Sequence, residues 1–219
     1  MGFRLREGSD GATISHLVFQ VDLAIMNEDT VDDVTVTQCT FENTIQAVSN
    51  WRGERWEISH NKIYDLRTGN GGGIGILIAD FSGEKTNGNV VSHNVIMGTL
   101  HVASNDGGGY HGSGIVIYAD FRFGGTPEQI SGNRVVKNKI SLVSDTPDVV
   151  NVNAFELTDT RPNTGVVKGN SIGFNDFRGT ASQILVSPPA LEDDNEIDRN
   201  LGDNRGDGLH PSTFGPGGN

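Results

Sequence analysis

The chain has 219 residues, 35% of them hydrophobic and 30 of them glycine, and carries a net charge of −12. That length fits one all-β domain, and sparse apolar content with many glycines fits a solenoid, which buries a thin continuous column and spends residues on turns. The acidity excludes nucleic acid as a partner, because phosphates need a basic footprint; no stretch approaches the ~18 apolar residues of a membrane span, and a lone cysteine, Cys39, excludes an intrachain disulfide.

At the start of the chain, Met1-Gly-Phe-Arg-Leu-Arg6 has charges but no apolar stretch behind them, so it does not read as a signal peptide. Arg6 also breaks the myristoylation pattern. The first apolar coil begins abruptly, with no helix to cover the end of a column. An excised piece of a longer solenoid is therefore expected rather than a complete cytoplasmic product.

A short pattern then recurs seven times: apolar, two residues, a ladder residue, one residue, apolar. The copies are Ile14-Ser-His-Leu17-Val-Phe19, Val36-Thr-Gln-Cys39-Thr-Phe41, Ile58-Ser-His-Asn61-Lys-Ile63, Val91-Ser-His-Asn94-Val-Ile96, Val135-Val-Lys-Asn138-Lys-Ile140, Val167-Lys-Gly-Asn170-Ser-Ile172 and Ile197-Asp-Arg-Asn200-Leu201. Their first residues step by 22, 22, 33, 44, 32 and 30. The two apolar ends of a copy are five residues apart, and a straight strand would point them to opposite faces. A bend at the ladder residue turns both inward, and Asn suits it because it tolerates left-handed backbone and hydrogen-bonds locally. Stacked coils would set successive Asn side chains about 4.8 Å apart, within reach of one another. Cys39 takes the ladder place in the second copy and is expected to be a small buried side chain.

Each copy is followed by a second strand-like segment rich in β-branched residues: Ile45–Val48, Ile74–Ile78, Gly114–Ile117, Val152–Leu157 and Gln183–Val186. Bend plus second strand makes a three-sided coil. No window keeps helical spacing for three turns. After Gly202 the chain turns Gly/Pro-rich, so residues 1–202 are expected to form the domain and 203–219 a disordered tail. Arg205-Gly-Asp207 there matches an adhesion tripeptide that chance readily supplies.

This repeat resembles the right-handed parallel β-helix of the pectate-lyase-like superfamily, above all its repeat-rich members such as the NosD-type proteins, over roughly residues 10–202. The resemblance implies an all-β, single-stranded right-handed parallel β-helix solenoid of about seven coils with three short strands per coil. It implies an extracellular or cell-envelope setting. It also implies a polysaccharide or oligosaccharide partner, since the superfamily includes polysaccharide lyases, glycoside hydrolases, epimerases, tailspikes and noncatalytic surface proteins. The repeat residues themselves are scaffold and name no activity.

The insertions carry more. Where the step exceeds 22, the extra residues fall between the bend and the second strand, and loops extruded on one side of adjacent coils can wall a groove. The first holds Asp65 and Arg67. The second runs His101-Val-Ala-Ser-Asn-Asp106-Gly-Gly-Gly-Tyr110-His111, and the third holds Asp145 and Asp148. Asp106, Tyr110 and His111 are the candidates for acid/base work near neutral pH. His101, Asp145, Asp148, Arg67 and an aromatic platform, Trp51, are the candidates for substrate binding; Trp56 is expected to pack. Gly71–Gly75 opens no helix and is not a phosphate loop.

Near-copies at the end of the second strand, Gly75–Asp80 and Gly114–Asp120, with Leu157-Thr-Asp159 as a looser third, place Asp80, Asp120 and Asp159 in a possible carboxylate column. Such a column needs a cation or a nearby Arg, and Ca2+ is the cofactor it would take. The alternative is that each Asp ends a strand and starts a turn, with Arg122 and Arg161 at hand. His16, His60 and His93 precede the ladder place as outward polar residues, too few for a metal site. Tyr110-His111-Gly112 only partly echoes the hydrolase branch, whose paired Asp motifs do not appear at matching places, Asp193-Asp194 falling on the last turn far along the axis from His111. Two functions stand: a carbohydrate-binding or carbohydrate-processing module, or a noncatalytic assembly module that forms homo-oligomers.

Overall fold

The computed structural model describes residues 1–69, 73–103, 111–122, 124–148 and 150–203, with His111 by its backbone alone. The chain is a right-handed parallel β-helix. Each coil visits three sheets in turn, and every paired strand in them is parallel to its neighbour on the next coil. The first sheet has seven strands, from Thr13–Ser15 to Glu196–Asp198; the second has five, from Val18–Phe19 to Lys139–Ser144; the third has seven, from Phe3–Leu5 to Ser182–Ser187. One four-residue helix, Leu191–Asp194, lies on the last turn. No helix among the described residues is long and apolar enough to cross a membrane.

The repeat fixes this architecture through its inward residues. Val36, Ile58, Val91 and Val135 stack from the first sheet, and Phe41, Ile63, Ile96 and Ile140 from the second, each at most 1% exposed. The third sheet adds Val48, Ile76, Ile115, Phe155 and Ile184. These form one continuous column from Leu5 to Ile197. Trp56, expected to pack, is fully buried, and its Nε1 donates to the Val31 carbonyl at 2.7 Å. Burying an aliphatic side chain contributes about 1.5–3 kcal/mol, so the repeated inward set dominates the stability of the coil.

Two features of the corners differ from expectation. The Asn at the bend is not the left-handed residue. That conformation falls one place earlier, on His16, Gln38, His60, His93, Lys137, Phe174 and Arg199, with φ between 55° and 59°. The left-handed residue turns the chain and points outward, while the Asn after it is swung into the corner. There Asn61, Asn94, Asn138, Asn175 and Asn200 form a buried ladder, each backbone N–H donating to the next Asn Oδ1 at 2.9–3.1 Å. Cys39 continues this ladder, as expected of its place: its N–H donates to Asn61 Oδ1 at 2.9 Å and its thiol points to the Ile14 carbonyl.

A second ladder, Asn89-Asn133-Asn170-Asn195, runs down the opposite edge of the first sheet. The Val167–Ile172 copy belongs to it, so the true sixth bend is Ile172-Gly-Phe-Asn175-Asp-Phe177. With Ile172 in place of Val167, the last steps become 37 and 25 rather than 32 and 30. One coil between Val135 and Ile172 is thus longer than the repeat alone implied.

Candidate functional site

The corner between the second and third sheets carries the long insertions. Asn43, Asp65 and Gly98 are left-handed there, with φ of 52°, 54° and 110°. In the fourth coil the register shifts between Met97 and Leu100, so this strand carries an extra residue opposite Asp65. Asp65 Oδ1 accepts the Thr99 N–H at 2.7 Å and pins the bulge, and a Cβ on Gly98 would overlap that carboxylate. The bulge returns Leu100 to a place opposite Leu66 and His101 to a place opposite Arg67.

The result is a polar row along the axis. Arg67 Nε donates to the Asn43 carbonyl at 3.0 Å, and its guanidinium pairs with Asp22. His101 lies on the next coil and Asp145 on the one after, Leu100 being opposite Ser144. Asp145 Oδ2 is 3.3 Å from His101 Nδ1, and its Oδ1 accepts the Val102 N–H at 3.1 Å. An imidazole held through Nδ1 leaves Nε2 for a ligand or a proton. The His101 and Asp145 side chains are 52% and 39% exposed, so both reach solvent. Beside the row lies an open cleft of about 540 Å³ lined by Gln20, Glu42, Asn43, Tyr64, Asp65 and Arg67. Three residues picked from separate insertions, Arg67, His101 and Asp145, are therefore neighbours on consecutive coils.

The other candidates lie elsewhere. Asp148 is exposed on the turn after Asp145, with no hydrogen bond or ion pair to a described residue. Trp51 ends a strand of the third sheet, at the edge away from His101. It packs edge-on against Phe81 at 5.3 Å. The seven-residue strand Ile74–Asp80 separates the two edges, a span of about 20 Å. Trp51 is half-buried there and does not join the corner row. Asp106 and Tyr110 lie outside the described residues, as does the His111 side chain; the His111 backbone pairs with Asn151.

Asp80, Asp120 and Asp159 do not form an in-register column. Asp80 and Asp159 both stand opposite Ala119, which leaves Asp120 one residue beyond the register. Each carboxylate instead accepts from the residue two places on, and Asp80 also ties in the following coil. Asp80 accepts from Ser82 N–H at 2.9 Å and Glu128 N–H at 3.0 Å. Asp120 accepts from the Arg122 N–H at 3.0 Å and from its guanidinium at 3.0 and 3.1 Å. Asp159 accepts from the Arg161 N–H at 2.9 Å and from the Thr164 hydroxyl. Burial pushes the Asp159 carboxyl above its ordinary range despite these donors. No group of three or more His, Cys, Asp or Glu among the described residues could hold a metal ion.

One functional-looking residue lies within the apolar segment Val152–Leu157. Glu156 is 3% exposed and points out of the third sheet, accepting from Ser113 Oγ at 2.8 Å and Thr158 Oγ1 at 2.9 Å. It adjoins a small apolar cluster on that outward face, Leu77, Ala79, Val116 and Tyr118. The signal was a single carboxylate between Phe155 and Leu157 in an otherwise apolar run. Burial, with the Asp120 carboxylate nearby, pushes the Tyr118 phenol up, so it stays protonated at all ordinary pH.

No family model matches the sequence, and neither a curated protein nor a solved structure matches it.

Proposed function

We propose that this chain is a carbohydrate-binding or carbohydrate-processing β-helix module of the pectate-lyase-like kind, acting outside the cell or in its envelope. The observation that carries this is the row Arg67-His101-Asp145 on consecutive coils, open to solvent beside a cleft holding Tyr64 and Glu42. A saccharide needs a line of hydrogen-bonding groups with an aromatic face near it, spaced along an extended path. The coil repeat of about 4.8 Å supplies such a path. In a processing module, Asp106, Tyr110 and His111 are the groups proposed to react, and the Asp145-held His101 imidazole is proposed as a further acid or base. Ca2+ belongs to this proposal as an arm of its test.

A glycan-array screen followed by calorimetry tests it, comparing the native chain with Arg67→Ala, His101→Ala, Asp145→Asn, Asp106→Ala and His111→Ala, in Ca2+ and in chelator. Binding that is lost with the corner variants supports the proposal. Failure to bind or cleave any neutral or acidic glycan in either condition sinks it.

A second function, noncatalytic assembly into homo-oligomers, is favoured by the first coils. Phe3, Leu17 and Val18 are 45%, 41% and 67% exposed there. Light scattering distinguishes it: a monomer across the accessible concentration range rules it out.

A further inference from the structure

The tight corners between the first and second sheets stack into a single ridge along the solenoid. On each coil it is built from the left-handed residue and from the first outward residue of the second sheet, with the ladder residue between them. Backbone bonds tie one rung to the next: the N–H groups of His16, His60 and His93 donate to the carbonyls of Thr37, Ser92 and Val136 at 3.2–3.4 Å. Rungs repeat at about 4.8 Å, so the six steps of the ridge make a rigid edge of about 29 Å. The edge is convex, with a sheet on either side, and its shape suits a surface rather than a small ligand.

Two properties concentrate on this edge. Among the described residues eight large apolar side chains are exposed, and half of them lie here: Leu17, Val18, Phe174 and Leu201, at 41%, 67%, 56% and 53%. Phe174 is the most telling, because a bulky ring in left-handed backbone, with φ 59°, is strained and an exposed ring gains nothing from the core. Between these apolar ends the third, fourth and fifth coils bring the exposed Lys62, Lys137 and Lys139 to the ridge and no carboxylate. The nearest carboxylates are committed or set back. Asp176 stands opposite Lys139 but is held by the Arg178 guanidinium at 2.9 and 3.0 Å, and Asp198 is held by Arg199 at 3.0 Å. Glu57 and Glu196 stand one row further onto the first sheet, with Arg134 in the same row. The acidity of the chain gathers instead on the turns from the third sheet to the first, where Glu7, Asp10, Asp29, Asp33, Glu84 and Glu128 are exposed.

We propose that this ridge seats the chain on an anionic phospholipid surface, with the three lysines against headgroup phosphates and Val18, Phe174 and Leu201 at the acyl boundary. A soluble polyanion would use the lysines and leave the apolar ends in water. An apolar partner would use the ends and strip water from the lysines. A lipid surface offers charge and hydrocarbon in adjacent layers, and lysine stems let the two be met together. The chain then lies on the membrane and does not span it. The first sheet, about 10 Å wide at three residues per strand, sets the acidic turns beyond the roughly 8 Å screening length of physiological salt. The ridge is separate from the Arg67-His101-Asp145 row and the inference stands independently of it.

The test cosediments the intact chain with vesicles of phosphatidylcholine alone, and with vesicles of phosphatidylcholine and phosphatidylglycerol in equal parts, at low and high salt. Binding is expected to the mixed vesicles only, and more weakly at high salt. Lys62→Glu combined with Lys139→Glu is expected to weaken it at least about twentyfold, from about fivefold for each lysine. Lys85→Glu combined with Lys168→Glu alters the net charge equally on other faces and is expected to leave binding within about twofold of native. Phe174→Asn removes the apolar anchor and suits left-handed backbone, so it should unfold no earlier than the native chain while vesicle binding falls about tenfold. Val18→Thr, at the other end and of equal shape, should weaken binding about threefold. His101→Ala leaves vesicle binding unchanged, which separates the ridge from the corner row. The proposal is overturned if the mixed vesicles are not bound, or if the two lysine pairs act alike. It is equally overturned if Phe174→Asn and Val18→Thr both bind as the native chain does, which would mark a site for soluble polyanions.

Discussion

Asn94 is an interior rung of the buried ladder, and Asn94→Ala measures what that ladder contributes. The Asn94 side chain accepts from the Asn61 backbone and side-chain amides at 3.0 Å each, and donates to the Ile58 carbonyl at 2.8 Å and to Asn138 Oδ1 at 3.0 Å. Alanine removes all four contacts and leaves the Asn61 N–H and the Ile58 carbonyl buried without that partner. An orphaned buried polar group costs about 1–3 kcal/mol, so two of them with the small void left behind come to about 3–5 kcal/mol. The neighbouring His93 provides the internal contrast. It points outward, is exposed, and stacks on His60 with ring centroids 4.9 Å apart. His93→Ala should therefore stay within about 0.5 kcal/mol, and His93→Gly should gain up to about 1 kcal/mol by relieving φ of 56°. Equilibrium urea unfolding followed by circular dichroism reads all three. A cost below about 1 kcal/mol for Asn94→Ala, or an equal cost for His93→Ala, would refute the division of labour between the inward Asn and the outward left-handed residue.

Cys39→Asn should extend the ladder by one rung and stabilise the chain by about 1 kcal/mol in the same assay, with Cys39→Ala destabilising, because the present thiol only weakly replaces an amide over the Ile14 carbonyl. Gly98→Ala should cost about 2–3 kcal/mol, since it combines φ of 110° with a clash on Asp65, and it should weaken glycan binding by displacing His101. Asp159 titrates with a folded value raised by burial, so its ionisation opposes folding: the stability it contributes is present below its unfolded value and lost as pH rises through the raised folded one. Asp159→Asn should accordingly gain stability over the native chain near neutral pH, and the gain should vanish once pH falls below the ordinary carboxylate range; a gain that grows on acidification would contradict this.

The fold was legible because inward apolar residues and the Asn bend recur together, and a repeat of supersecondary units leaves few architectures open. The bend chemistry was less legible. Left-handed backbone falls on residues as different as His60, Lys137 and Phe174, because that place needs only a side chain that can face solvent. The sixth copy was misplaced for a specific reason: both corners of the first sheet bury Asn ladders, so Ile130-Ser-Gly-Asn133-Arg-Val135 and Val167-Lys-Gly-Asn170-Ser-Ile172 have the same spelling as the bend on the other side. Spacing cannot tell one edge of a strand from the other. The corner row was partly legible, since Arg67 and His101 end strands of the second sheet and Asp145 follows one, each where an insertion begins. The carboxylate column failed on register, which sequence similarity between strands of unequal length does not fix: Ile74–Asp80 ends on its Asp, whereas His111–Ala119 ends before its own. Glu156 was hidden because outward and inward places alternate inside a strand that looks wholly apolar.

The most direct measurement is a calorimetric titration of the best glycan from the array into the native chain and into His101→Ala and Asp145→Asn. Binding by the native chain, with affinity reduced at least about tenfold in both variants while unfolding is unchanged, is the predicted result. Equal affinity in all three proteins would contradict the assignment of the Arg67-His101-Asp145 row as the saccharide site.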